Sequence, residues 1–274
     1  MSCGDIVELP VGNVNDEEFS EVSGAEMVAT ANPKLGRDTS IAVISDSIVE
    51  IRFETTPRIL DSRGRASENI QLKMRFDGFR IGPDGIQLTK EDDSESVFLT
   101  THNAGYTGRE RTGASDVAHK AQDLFRNLCA EKLFKDSRVI PIRRIGARIK
   151  SLTPIKGSFA ELREKIVSTF GEPSSELTDI LSGSMSDVSY VYDFRDSDGK
   201  MRITVGPMRD EQMVTYFERG DDHSIPEIGL FLDIDVYKEV KGTSSDATVL
   251  EYINRYCEKV WKTQDKIVEL ILGV

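Results

Sequence analysis

The sequence predicts an α+β fold, with antiparallel sheets in two similar halves and helices packed on one face. Three observations carry this expectation. Short segments in which apolar and polar residues alternate recur along the chain, the pattern of half-buried strands. Stretches with apolar residues three and four apart follow them, the pattern of amphipathic helices. The strand segments come in groups, not singly interleaved with helices, which argues against a doubly wound parallel sheet.

Residues 1–40 read as a polar N-terminal extension. Asp16, Glu17 and Glu18 and the Ala/Gly/Asn/Pro stretch from Gly24 to Gly36 carry no periodicity, so order there must come from docking on the main body. Residues 41–156 read as a first β-rich half with one helix. Val49, Ile51 and Phe53 alternate with Glu50, Arg52 and Glu54, which predicts a strand. Leu72, Met74 and Phe76 alternate with Lys73 and Arg75 and predict another, with Asp61–Arg65 as a polar loop between them. Gly82-Pro83-Asp84-Gly85 is a turn signal that makes Phe79–Ile81 and Ile86–Leu88 a hairpin. Val97–Thr101 is a further short strand, and Gly105–Gly113 reads as a glycine-rich loop. Val117, Ala121, Leu124, Phe125 and Leu128 then mark a helix, with Ser115 or Asp116 as its N-cap. Val139–Leu152 returns to strand.

Residues 157–274 read as the second half. Ser158 followed by Glu161 is a capping-box pattern ahead of the stripe Phe159, Leu162, Ile166 and Phe170, with Gly171 and Pro173 as a stop. Tyr190, Tyr192 and Phe194 predict a strand. Asp198-Gly199 turns it into a second one through Met201, Ile203 and Val205. Met213–Phe217 and Leu230–Val236 are two more. A long amphipathic helix from Val249 to Ile271, capped by Ser244 or Ser245, closes the chain.

The 274 residues suffice for a core without disulfides or structural metal. Net charge is −12, from 47 acidic against 35 basic residues. Such a chain repels nucleic-acid phosphates and anionic lipid unless its cations gather on one face. Cys3, Cys129 and Cys257 are scattered and odd in number, neither a disulfide framework nor a zinc site, which points to a reducing compartment. Met1–Asp5 lacks a basic region and an apolar core, so no secretory signal is expected. No apolar run reaches the roughly 20 residues that span a bilayer. Cytoplasmic location, no membrane and no cofactor are the resulting expectations.

Candidate sites are few. Gly108–Ser115 has the spacing of a phosphate loop, but Ala114 stands where Walker A needs lysine. Arg109 and Arg111 near a helix start leave a weaker anion-binding possibility. Arg144, Arg148 and Lys150 share one strand face, with Gly146 open between them. That stripe is either a solvated face paired with acids such as Glu50 and Glu54, or a fork for a carboxylate or phosphate. Asp233 and Asp235 share another strand face and are weak metal or acid/base candidates, with mutual neutralisation by the arginine stripe as the economical reading if the two strands are neighbours. His102, His119 and His223 fit no catalytic frame, and Gly183-Ser184-Met185-Ser186 is not a nucleophile elbow. Cys129, Cys257 and Trp261 lie on or beside apolar helix stripes and are expected to pack.

Glu50-Ile51-Arg52-Phe53, Arg144-Ile145-Gly146-Ala147-Arg148-Ile149, and Leu232-Asp233-Ile234-Asp235-Val236 ahead of the long last helix resemble a sporadically distributed family of uncharacterised bacterial proteins of similar length. The resemblance spans most of residues 41–274. It departs at Lys150 and Ser151, where the family pattern has an aromatic residue and an asparagine. It implies no known activity, since the family's function is not established, and the family's patchy distribution implies company in mobile or defence-associated gene clusters. The expectation drawn from all this is a non-enzymatic binding or assembly component of a bacterial multi-gene system, with a protein partner or a second copy of itself. The alternatives are a hydrolase or phosphate-handling enzyme built on Arg144, Arg148, Asp233 and Asp235, and a small-molecule sensor with a cavity between sheet and helices.

Overall fold

Alternating apolar residues build one broad sheet, and helices with apolar stripes cover it. The computed structural model describes residues 35–110, 113–130, 142–181, 185–217, 225–241 and 244–273, all within one unit, Pro33–Val274. Along the chain come β1 (Gly36–Arg37), β2 (Ile44–Phe53), α1 (Arg58–Met74), β3 (Gly78–Ile81), β4 (Gly85–Thr89), β5 (Glu95–Thr100), β6 (Asn103–Arg109) and α2 (Ala114–Ala130). Then follow β7 (Ile142–Lys156), α3 (Phe159–Phe170), α4 (Ser175–Leu181), β8 (Tyr190–Arg195), β9 (Lys200–Arg209), α5 (Asp210–Phe217), β10 (Ile228–Glu239) and α6 (Asp246–Leu272).

The fold is α+β. Nine strands run in the order β3-β4-β5-β6-β2-β7-β10-β9-β8, with β1 beside the far end of β7, and their pairings are antiparallel. The two halves share a topology. In each, a first strand (β2 or β7) leads into a helix, and a meander follows whose last strand (β6 or β10) returns beside the first. Another helix then lies on the sheet. The two first strands pair with each other, Val49 opposite Ala147. In this comparison β7 stands in the second half where β2 stands in the first.

α1, α2, α3 and α6 pack on one face. Val49, Ile51, Tyr106, Ile145, Ala147, Ile149, Ile234 and Val236 point that way and join Ile59, Ile70, Leu124, Phe125, Ile253, Tyr256 and Val260 in the main core. Each fully buried Val, Ile, Leu or Phe among them contributes about 1.5–3 kcal/mol of transfer free energy. α5 packs on the opposite face, where Met213 and Phe217 bury against Ile44, Leu152 and Phe231.

Several expectations are corrected. The loop Asp61–Arg65 and the strand Leu72–Phe76 are one helix, α1. Its buried side chains Ile59, Ala66, Ile70 and Met74 are seven and four apart, and Leu72 is exposed. Gly105–Arg109 is strand, not loop: Gly105 lies under the Phe98 ring on the neighbouring strand, where a Cβ would collide. α2 starts at Ala114, so Ser115 and Asp116 stand inside its first turn and do not cap it. Met213–Phe217 is helical. Residues 36–37, expected as part of an irregular extension, pair with Lys156 and Ile155. Residues 1–34 of that extension, Cys3 among them, and Arg111, Val139, the segment 182–184 and His223 lie outside the described residues. The Ser158/Glu161 capping box of α3 forms as expected, as do the hairpin at Gly82–Gly85 and the Ser245 cap of α6.

Candidate functional site

The face opposite the four helices is polar, and only α5 covers part of it among the described elements. Parity places Arg144, Gly146, Arg148 and Lys150 of β7 on this face. β10 contributes Asp233, Asp235, Tyr237 and Glu239, with Asp235 directly opposite Arg148 and Tyr237 opposite Gly146. The pairing runs diagonally. Arg144 Nη2 donates to Asp235 Oδ2 at 2.7 Å, and Arg148 grips Asp233 with two bonds, Nε to Oδ1 at 2.7 Å and Nη2 to Oδ2. The hydrogen bond to Asp233 raises the Arg148 pKa above its ordinary value against the opposing effect of desolvation.

Gly146 decides the local shape. Its missing side chain lets Tyr237 lie against β7, since a Cβ there would sit 2.9 Å from Tyr237 Cβ. The Arg144 guanidinium then stacks 3.8 Å from the Tyr237 ring centroid, the geometry of a cation–π contact. The space left over Gly146 is a hollow of about 280 Å³, lined by Ile48, Glu50, Arg52, Arg144, Gly146, Ala147, Arg148 and Asp235. Arg52 bonds Glu50 at 2.9 Å, and Glu50 also accepts from Asn103 Nδ2 at 2.7 Å. On the next strand Arg202 holds Asp193 with two bonds of 2.9 Å, and that hydrogen bonding lowers the Asp193 pKa. Lys150 lies 4.7 Å from the Tyr216 ring centroid on α5, and Tyr216 reaches Asp233 at 3.4 Å.

The structure thus brings Arg144, Arg148, Asp233 and Asp235 together, and joins them in pairs. The acids Glu50 and Glu54, expected as partners of the basic stripe, bond Arg52 and Arg143 instead. Arg109 closes β6 opposite Asp46, away from this hollow. His102 sits in the turn between β5 and β6 with Nδ1 3.4 Å from Thr100 Oγ1, and His119 faces Asp123 on α2. Burial pushes both described thiols, Cys129 and Cys257, up to about 12. Among the described residues no three His, Cys, Asp or Glu side chains are arranged to hold a metal ion, and no helix is long and apolar enough to cross a membrane. Tyr237, Arg202 and Arg52 escaped the sequence reading as members of this site. Their parity was legible, but the strand neighbours that unite them were not.

A second concavity lies on the helix side. It measures about 680 Å³ between β1, β2, β7 and the second half of α6, with Arg37, Ser45, Glu110, Ile149, Thr153, Trp261, Gln264 and Asp265 among its lining.

No protein-family model and no curated protein sequence matches the chain. Among solved structures it is similar to the TBP of Methanococcus jannaschii, over 88% of this chain and 100% of that one, at 12% identity and a TM-score of 0.25. A TM-score of that size assigns neither fold nor function.

Proposed function

We propose that this chain is a non-enzymatic binding component that docks a protein partner on the open face of its sheet. One observation carries the reading: across the middle of that face the charges are interleaved and nearly balanced, although the chain as a whole is at −12. Arg52, Arg144, Arg148, Lys150, Lys200 and Arg202 stand among Asp46, Glu50, Asp233, Asp235 and Glu239. The acidic excess therefore lies elsewhere, and this face escapes the like-charge repulsion that keeps other acidic proteins off the rest of the surface. Its arginines are already bonded to aspartates or, for Arg52, to Glu50, which leaves them poor hosts for a nucleic-acid backbone and speaks against use of the four central residues as catalytic groups. A protein with its own mixed-charge surface fits such a face, and the arginines and tyrosines supply the residue types that anchor interfaces. The scattered cysteines support a cytoplasmic setting. The resemblance to a sporadically distributed bacterial family supports a partner from the same multi-gene, defence-associated system.

The test is native mass spectrometry of the full chain purified gently from its own host, beside the double variant Lys200→Glu/Arg202→Glu on the open face. A stoichiometric second protein that the variant loses supports the reading. A partner retained by the variant, or a monomer without one, overturns it. A homodimer abolished by the same variant makes the partner a second copy of this chain.

A further inference from the structure

β8 ends the sheet on one side: β9 lies along its inner edge, and no described strand lies along its outer one. Where the β8–β9 hairpin turns, the Asp196 N–H donates to the Gly199 carbonyl at 3.0 Å. Bonded and non-bonded pairs alternate in an antiparallel ladder. Tyr190, Tyr192 and Phe194 therefore direct their backbone groups at β9, and Val191, Asp193 and Arg195 turn theirs outward. An outward row of this kind is a template for a further strand.

The side chains state which strand fits. Arg195 is exposed and stands directly opposite Lys200 of β9, an unfavourable like-charge pair. Its charge reaches Glu239, but Lys200 already holds that carboxylate at 2.6 Å. Among the described residues Arg195 has no hydrogen bond or ion pair. Two positions back on the same face is Asp193, exposed and bonded to Arg202. Between them, on the helix side, Phe194 ends a row of rings that runs from Phe170 through Tyr190 and Tyr192. Its side chain is 50% exposed.

This order of anion, ring and cation is complementary to itself read backwards. In two antiparallel copies centred on Phe194, each Arg195 lies opposite Asp193 of the other copy, and the two Phe194 rings meet. Asp193 against Asp193, or Arg195 against Arg195, repels, so charge singles out this register. The opposed Arg195 and Asp193 are also residues whose backbone groups point outward, as the shared ladder requires.

We propose that the chain dimerises edge to edge through β8 in this register, which joins two sheets into one with both open faces on the same side. The edge is distinct from the docking face, and the inference does not rest on that reading.

Sedimentation velocity of the full chain, purified alone, tests it. An edge contact is small, so a dissociation constant of about 1–100 µM is expected. Phe194→Lys, Asp193→Lys and Arg195→Glu each weaken the dimer about tenfold or more, the last two because they set like charges opposite each other in both pairs. Mixed one to one, Asp193→Lys and Arg195→Glu chains regain a dimer, since every cation again meets an anion across the edge. A thermal melt of each variant confirms that it is folded. The proposal is overturned if the parent stays monomeric up to about 500 µM, if the three folded variants dimerise as the parent does, or if the mixture does not restore what the single variants lose. A dimer that ignores the β8 variants and is lost in Lys200→Glu/Arg202→Glu sits on the open face, which supports the docking reading and overturns this one.

Discussion

Gly146 and Tyr237 face each other across β7 and β10, and the glycine is what lets the tyrosine ring lie flat enough for Arg144 to stack on it. A Cβ at position 146 would come within 2.9 Å of Tyr237 Cβ and 3.1 Å of the Val236 carbonyl oxygen. Gly146→Ala therefore forces the two strands apart or turns the ring away. The expected loss is about 1–3 kcal/mol, the range for overpacking a well-filled site, read as a lower urea midpoint at unchanged slope.

Arg148 and Asp233 form a two-bond pair whose acid is only 13% exposed and whose base is 39% exposed. Such a pair lies between the surface case, worth little, and the buried case, where removing one partner strands a charge. Arg148→Met or Asp233→Leu alone is expected to cost about 1–2 kcal/mol. The double variant costs less than the sum of the two, because neither charge is left alone. Urea unfolding of all four proteins checks the cycle, and additive losses refute the pairing.

Burial holds the thiols of Cys129 and Cys257 near 12. Both stay protonated at pH 8, so in a Cys3→Ser background native protein reacts with iodoacetamide about a thousandfold more slowly than unfolded chain, the ratio of thiolate fractions. The raised folded pKa also fixes a sign. The stabilisation is complete below the unfolded thiol pKa and is lost as pH rises from there towards 12. Thermal melts between pH 8 and 11 are expected to fall, and to fall less in Cys257→Ala after correction for the cost of the substitution.

The α3 cap gives the opposite sign. Glu161 Oε2 accepts from the Ser158 backbone N–H at 2.7 Å and from Ser158 Oγ at 2.9 Å, and these bonds, the backbone one first, lower its pKa. Its contribution is present above the unfolded carboxylate pKa and disappears as pH falls through the lower folded value. Ser158→Ala is expected to cost about 1 kcal/mol at neutral pH. In Glu161→Gln the acid limb of the stability profile below pH 5 is flatter than in the parent.

How far the sequence disclosed the molecule depended on how local each signal was. α3 was legible because its cap, stripe and stop lie within a few residues of one another. α1 was not. Its buried positions are sparse, Gly64 and a run of charges interrupt them, and Leu72-Lys73-Met74-Arg75-Phe76 imitates a strand over one window. α5 hid for the same reason, since Met213 and Phe217 are four apart in a segment too short to show a second turn. At the open face, the parity of Arg144 with Arg148 and of Asp233 with Asp235 was readable. Their diagonal pairing was not, because it needs β10 beside β7, a register set by contacts distant in sequence. The cavity under α6 could not be read at all: Ser45, Thr153 and Gln264 are unremarkable until the sheet and helix bring them together.

The place of β7 in the sheet has a consequence for how the protein is made. β7 ends at Lys156, and the strand that completes its second edge, β10, begins only at Ile228. A chain emerging from the ribosome must hold β7 with one row of backbone donors and acceptors unsatisfied until the residues up to Glu239 have been synthesised. An open edge of this kind recruits strands from other nascent chains. Arg144 and Arg148 stand on that strand before Asp235 and Asp233 have arrived to meet them, and charged side chains on an unpaired strand are a recurring guard against such edge pairing.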